Sequence, residues 1–185
     1  MKRIASWVMV VCLLVASVGW ALAEEGEGTK FSEALLTKGS LLKKEFIETK
    51  SFKVAGFAYA IYGQTAILTD MLTGEKVYAL RLEHKYYNSK YDSGKSIVVL
   101  DLMEIDNVIA ALQSLQVEFS KQLRDYTEYA YETADGLKIG AYYNGEKKLF
   151  IRFSNSDTEY CDYVSIDSMI QFFQNCKDAI EIEMK

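Results

Sequence analysis

The chain has 185 residues, with 21 basic against 26 acidic side chains and a net charge of −5. That length suits one compact domain or two small halves packed together. Phosphate backbones are met mainly by clustered Lys and Arg, so the acidic balance makes nucleic acid an unlikely partner.

Met1-Lys2-Arg3 supply a short positive region, Trp7 to Val18 an apolar core, and Ala21-Leu22-Ala23 a small-x-small cleavage site. This is the layout of a secretory signal peptide, and its apolar core is too short to span a bilayer comfortably. The expectation is export, with residues 1–23 removed near Ala23. The mature chain is then periplasmic or extracellular and has no membrane span. Loss of Lys2 and Arg3 leaves 19 basic and 26 acidic residues, a net −7.

Residues 24–51 read as a leader with a short helix, a break at Lys38-Gly39 and an extended stretch, LLKKEFIE, that adds an edge strand. From residue 52 the chain is written twice. TGEKVYALRL (73–82) returns as NGEKKLFIRF (144–153), and DLMEIDNVIAALQ (101–113) as DYVSIDSMIQFFQ (162–174). The Gly-Glu-Lys blocks have the composition of a tight turn leading into a strand. Strand-like runs precede them: FAYAIY and TAILTDML in the first half, EYAYET and LKIGAYY in the second. Turns are expected between these runs at Gly63-Gln64 and at Asp135-Gly136. SIVVLDL and EYCDYV supply a fourth strand to each half.

Each fourth strand leads into a helix, about 103–121 and 165–181. Ile105, Val108, Ile109, Leu112, Leu115 and Phe119 recur at three and four residues, one face of a 3.6-residue period. Ile166, Met169, Ile170, Phe173, Cys176 and Ile180 do the same. Asp106 and Asp167 sit near the helix starts, where a carboxylate meets the positive end of the dipole. The implied fold class is α+β: a duplicated ββββα unit, at 52–123 and 124–185, with antiparallel sheets and two amphipathic helices sharing one core. In element order this resembles the tandem architecture of Whirly-type and Pur-type single-stranded nucleic-acid-binding proteins. The resemblance covers most of the mature chain, and no signature residue of those families is matched.

Candidate chemistry is sparse. His84, the sole histidine, reads as a surface residue at a strand end. No hydrolase, phosphate-loop or dinucleotide motif is present. SNSDTEYCD lacks the glycine and terminal Glu of a calcium loop. No metal or cofactor is therefore expected. Asp101, Glu104 and Asp106, like Asp157, Glu159 and Asp162, cluster around helix starts. A carboxylate-dependent hydrolase is the alternative they leave open.

Arg81 and Arg152 lie in otherwise apolar strands, and structural ion pairs with Asp101 and Asp162 on the next strand are expected. Cys161 and Cys176 replace Leu100 and Leu115 of the first half, so they form either a disulfide or two buried thiols. The first half carries an insertion, KYYNSKYDSG (85–94), whose Tyr86, Tyr87, Asn88 and Tyr91 suit contacts to a protein, peptide or glycan. The expected function is an exported, non-enzymatic binding module, with the hydrolase and single-stranded nucleic-acid binding as alternatives.

Overall fold

The computed structural model describes residues 29–52, 60–89, 92–153 and 157–185, with backbone alone for 52, 85–89, 92–93, 157–162 and 164. The signal-like stretch and Tyr91 lie outside the described residues. The fold is α+β, built on two antiparallel sheets.

The chain opens with α1 (Lys30–Leu36), capped by Thr29, whose hydroxyl accepts the Ser32 N–H at 3.2 Å. Gly39, with φ near +85°, turns the chain out of the helix. Strands β1 (Leu42–Phe52), β2 (Ile61–Asp70), β3 (Lys76–Ser89) and β4 (Asp92–Leu100) then form the first sheet in that order, followed by α2 (Leu102–Ser120). Strands β5 (Tyr126–Glu132), β6 (Leu137–Asn144), β7 (Lys147–Phe153) and β8 (Asp157–Asp162) form the second sheet. A short 3-10 turn at Tyr163–Ser165 leads into α3 (Ile166–Glu183).

The turn expected at Gly63-Gln64 is not there. Both residues lie inside β2, where Gly63 pairs with Leu82 and Gln64 with Arg81. A Cβ at Gly63 would stand 2.6 Å from the Cys176 sulfur of α3, so this glycine serves close helix approach rather than chain reversal. With β2 continuous, the sheet takes its first strand from the leader: Leu42–Phe52, the expected edge strand, pairs along β2. The other turn is where the sequence puts it, with Gly136 at φ +80° between β5 and β6.

The helices cross between the halves. α3 lies over β1, β2 and β3, while α2 touches β5 and β6 as well as β3 and β4. Their inward faces join both sheets in one core: Leu80, Leu82 and Leu100 from the first, Leu149, Ile151 and Phe153 from the second, with Leu112, Phe119, Phe173 and Ile180 between. All six apolar positions read from the spacing of α2 are buried. On α3, Phe172 is buried and Ile170 only half so, which turns the face slightly from the expected stripe. Each buried Leu, Ile or Phe side chain contributes roughly 1.5–3 kcal/mol, several times a surface ion pair. Apolar burial therefore joins the halves, and polar contacts fix their register.

Those contacts cluster where the β5–β6 turn meets the first half. Asp135 accepts the Val99 N–H of β4 at 2.7 Å, and Glu104 accepts the Ala134 N–H at 2.7 Å. Glu104 also accepts the Asp101 N–H at 3.3 Å, closing the N-terminus of α2. Half-burial raises the Asp135 pKa, opposed in part by the Val99 hydrogen bond.

Candidate binding surface

Strand alternation gives each sheet an inner face, toward the helices, and an outer face. On the first sheet α1 roofs much of the outer face: Phe31, 3% exposed, packs with Ala66, Leu68 and Ala79. The corresponding stretch of the second sheet is built differently. Phe150 stands 71 residues after Ala79, and there the strand itself supplies the large ring. Its ring lies across Gly140, where a Cβ would come within 2.5 Å of it. Among the described residues no helix lies on this face.

Around Phe150 the alternation of β5, β6 and β7 gathers Tyr126, Glu128, Tyr142 and Arg152 about a hollow of about 180 Å³. Tyr126 stacks with Tyr142 at 6.4 Å between centroids, and its hydroxyl donates to Glu128. The Arg152 guanidinium lies 5.8 Å from the Phe150 ring centre. Tyr126 is 61% exposed. The arrangement offers flat apolar rings, a cation and a carboxylate side by side. That combination suits a ligand with both an apolar face and polar groups.

Two further hollows lie between a helix and the first strand of a sheet. One, about 220 Å³, is lined by Ala111, Ser114, Leu115 and Glu118 of α2 with Tyr129 and Tyr131 of β5. The other, about 340 Å³, lies between β1 and α3 and is lined with charge: Glu48, Lys50, Asp178 and Glu183. Ser114 and Asn175, one in each hollow, are 61 residues apart, the offset that separates the two helix motifs.

No family model matches this chain. Neither does any curated protein or solved structure.

Several residues singled out in the sequence serve the fold instead. Arg81 pairs with Glu83, two residues along the same face of β3, at 2.7 Å, and also donates to Gln64. It does not pair with Asp101. That carboxylate accepts the Lys30 N–H at 2.7 Å and so holds the start of α1 instead. In the second sheet Arg152 stands opposite Thr158, and Asp162 opposite Lys148. The Asp162 side chain lies outside the described residues. His84 is buried, not exposed: it stacks on Phe153 of the second sheet at 5.3 Å and 18°.

Cys176 is a free, buried thiol, so the disulfide alternative fails. Its sulfur faces Gly63 of the first sheet, whereas Cys161 sits in β8 of the second, opposite Leu149. Burial pushes the Cys176 thiol up to about 12. The 85–94 insertion is a hairpin extension rather than a free loop, with Tyr86 opposite Gly94 and Tyr87 opposite Ser93. Among the described residues no group of three His, Cys, Asp or Glu side chains is placed to hold a metal. No described helix is long and apolar enough to cross a membrane.

The aromatic hollow was the feature that sequence reasoning missed. The period-2 runs YTEYAYE and LKIGAYYN did carry its signal, since Tyr126, Glu128 and Tyr142 fall on one face of paired strands.

Proposed function

We propose that this chain is an exported, non-enzymatic binding module, built from two copies of a ββββα unit that have diverged in what they leave open. The ligand, a protein, peptide or glycan, meets the outer face of the second sheet at Tyr126, Tyr142, Phe150 and Arg152. One observation carries this reading: α1 covers the outer face of the first sheet at Ala66, Leu68 and Ala79, while the second presents stacked tyrosines beside an arginine. Duplication is supported by the paired sequence blocks, by the order of four strands then a helix in each half, and by contacts that recur at one offset. Asp106 binds Lys177 and Asp167 binds Gln116, so both partners shift by 61 residues. That reciprocity is the mark of a two-fold relation. The signal-like N-terminus supports export, and the element order is the ground for a likeness to Whirly-type and Pur-type folds.

The extended β3–β4 hairpin, with Tyr86, Tyr87, Asn88 and Tyr91, is a second contact surface in this proposal. A Tyr142→Ala/Arg152→Ala double variant tests the main one. It is expected to keep the native circular dichroism spectrum while losing partners recovered by affinity capture from the exported fraction. Capture unchanged from the parent protein removes the outer face from the proposal.

A further inference from the structure

An edge strand with unpaired backbone groups invites another strand, and proteins usually blunt such edges with lysines, bulges or cover. Here three edges can be compared. β1 carries Lys43, Lys44 and Lys50, and its register breaks between Glu48 and Lys50. β4 is closed at Val99, whose N–H binds Asp135 of the other half. Among the described residues β5 has none of these devices. Its sequence, YTEYAYE, contains no lysine, pairs with β6 without a register break, and ends the order of its sheet. Five of its seven residues are exposed.

Beside that edge lies the hollow of about 220 Å³ between β5 and α2, lined by Ala111, Ser114 and Leu115 and by the rings of Tyr129 and Tyr131. It is smaller than the roughly 300–1,000 Å³ of small-molecule sites, and fits side chains projecting from an added strand. On the other face, β5 presents Glu128 and Glu132. Glu132 is paired with Lys138 at 2.9 Å. Glu128 accepts the Tyr126 hydroxyl and shares its hollow with Arg152, and among the described residues no cation lies within ion-pair distance of it. The edge therefore offers backbone hydrogen bonds, an apolar recess on one side and, on the other, two carboxylates of which Glu132 alone has a cation within ion-pair distance among the described residues.

From this juxtaposition we infer that β5 is a docking edge for an extended peptide whose side chains alternate basic and apolar. It adds as a fifth strand, with its apolar residues in the β5–α2 recess and its basic residues beside Glu128 and Glu132. This rests on the binding-module reading above and assigns it a further surface with a defined class of ligand. Charge selects this occupant over a second copy of the chain. Antiparallel pairing of two β5 strands about Tyr129 sets Glu128 diagonal to Glu128 and Glu132 of the other copy, and like charges at that spacing repel.

The test titrates the full chain with two labelled synthetic heptapeptides, Lys-Val-Lys-Tyr-Lys-Val-Lys and its counterpart with Glu for Lys, followed by fluorescence anisotropy. The lysine peptide is expected to bind at least tenfold more tightly, and to slow hydrogen exchange at the amides of Tyr126–Glu132. Glu128→Lys should reverse the preference. Ser114→Phe, which fills the recess from the helix side, should weaken the lysine peptide at least tenfold. Asn175→Phe at the corresponding place on α3 should leave binding unchanged. Circular dichroism and melting confirm that each variant is folded, and the surface change Glu128→Lys carries the test if Ser114→Phe is not. Equal affinity for the two peptides, or none at millimolar peptide, overturns the inference. So does a concentration-dependent dimer in sedimentation that protects the β5 amides without peptide. Binding that Tyr142→Ala/Arg152→Ala abolishes and Ser114→Phe leaves intact overturns this inference while the outer-face reading stands.

Discussion

Lys177, near the C-terminus of α3, places its ammonium 2.6 Å from the Asp106 carboxylate near the N-terminus of α2. At the opposite ends of the same helix pair, Gln116 of α2 donates to Asp167 of α3, also at 2.6 Å. The helices therefore run antiparallel, and the two contacts exchange places under the 61-residue offset. The hydrogen bond to Asp106, with the charges of Asp106 and Glu181, raises the Lys177 pKa. Only one of the two sites is ionic on both sides, which makes the other a place to test the symmetry.

Gln116→Lys should complete it. A lysine at that position meets Asp167 as Lys177 meets Asp106. The variant should gain up to about 0.5–1 kcal/mol at low ionic strength, a gain that fades near 1 M salt. Urea unfolding at two salt concentrations measures this. A loss of stability at low salt contradicts the proposed two-fold arrangement.

The Asp135 turn separates charge from hydrogen bonding. Burial raises the Asp135 pKa, so the folded protein holds that proton more tightly than the unfolded chain. Its contribution to stability is thus fullest below the unfolded carboxylate value and falls as pH rises through the folded one. Asp135→Asn keeps an acceptor for the Val99 N–H without the buried charge. It should match or exceed the parent at pH 7 and flatten that part of the pH profile. Asp135→Ala, which leaves the N–H unmet, should cost about 1–2 kcal/mol. Melting curves from pH 3 to 7 distinguish the two.

Gly63 and Cys176 form a steric pair. Gly63→Ala drives a methyl into the sulfur, with an expected loss of about 1–3 kcal/mol. In the Gly63→Ala/Cys176→Ala double variant most of that loss should return. A double-mutant cycle gives the coupling directly, and additive effects would show that the two sites do not touch.

The same cysteine sets an alkaline limit. Its pKa stands at about 12 when folded against 9.0 for an ordinary thiol. The unfolded chain loses the proton first, so stability is full below pH 9 and declines as pH rises toward 12, by at most ~1.4 kcal/mol per unit. Cys176→Ala should remove that component while leaving the tyrosine background. Native protein should also react far more slowly with a thiol reagent at pH 8 than unfolded protein.

What the sequence revealed depended on whether the cause was local. The six-residue stripe of α2 and the Gly136 turn follow from period and turn chemistry, and both stand where the residues put them. Gly63 misled because its reason lies on a helix more than a hundred residues away, and a glycine amid strand residues otherwise reads as a turn. His84 sits among charged and tyrosine neighbours that suggest a surface, yet the second sheet brings Phe153 over it. The Arg81 partner was misassigned for a similar reason: Asp101 answers to α1, which lies outside the paired sequence blocks altogether. The aromatic hollow needed the register of three strands, which no single strand reveals.

α3 closes over the first sheet while α2 lies against both, and this sharing can be tested by dividing the chain. Residues 29–124 and 125–185, produced separately, should each lack cooperative unfolding and dispersed amide resonances, because α3 is missing from the first sheet and α2 from the second. Mixed at equal concentration, they should recover the spectrum of the intact protein. Either fragment folding cooperatively alone, with its partner adding nothing, would contradict the interlocked core.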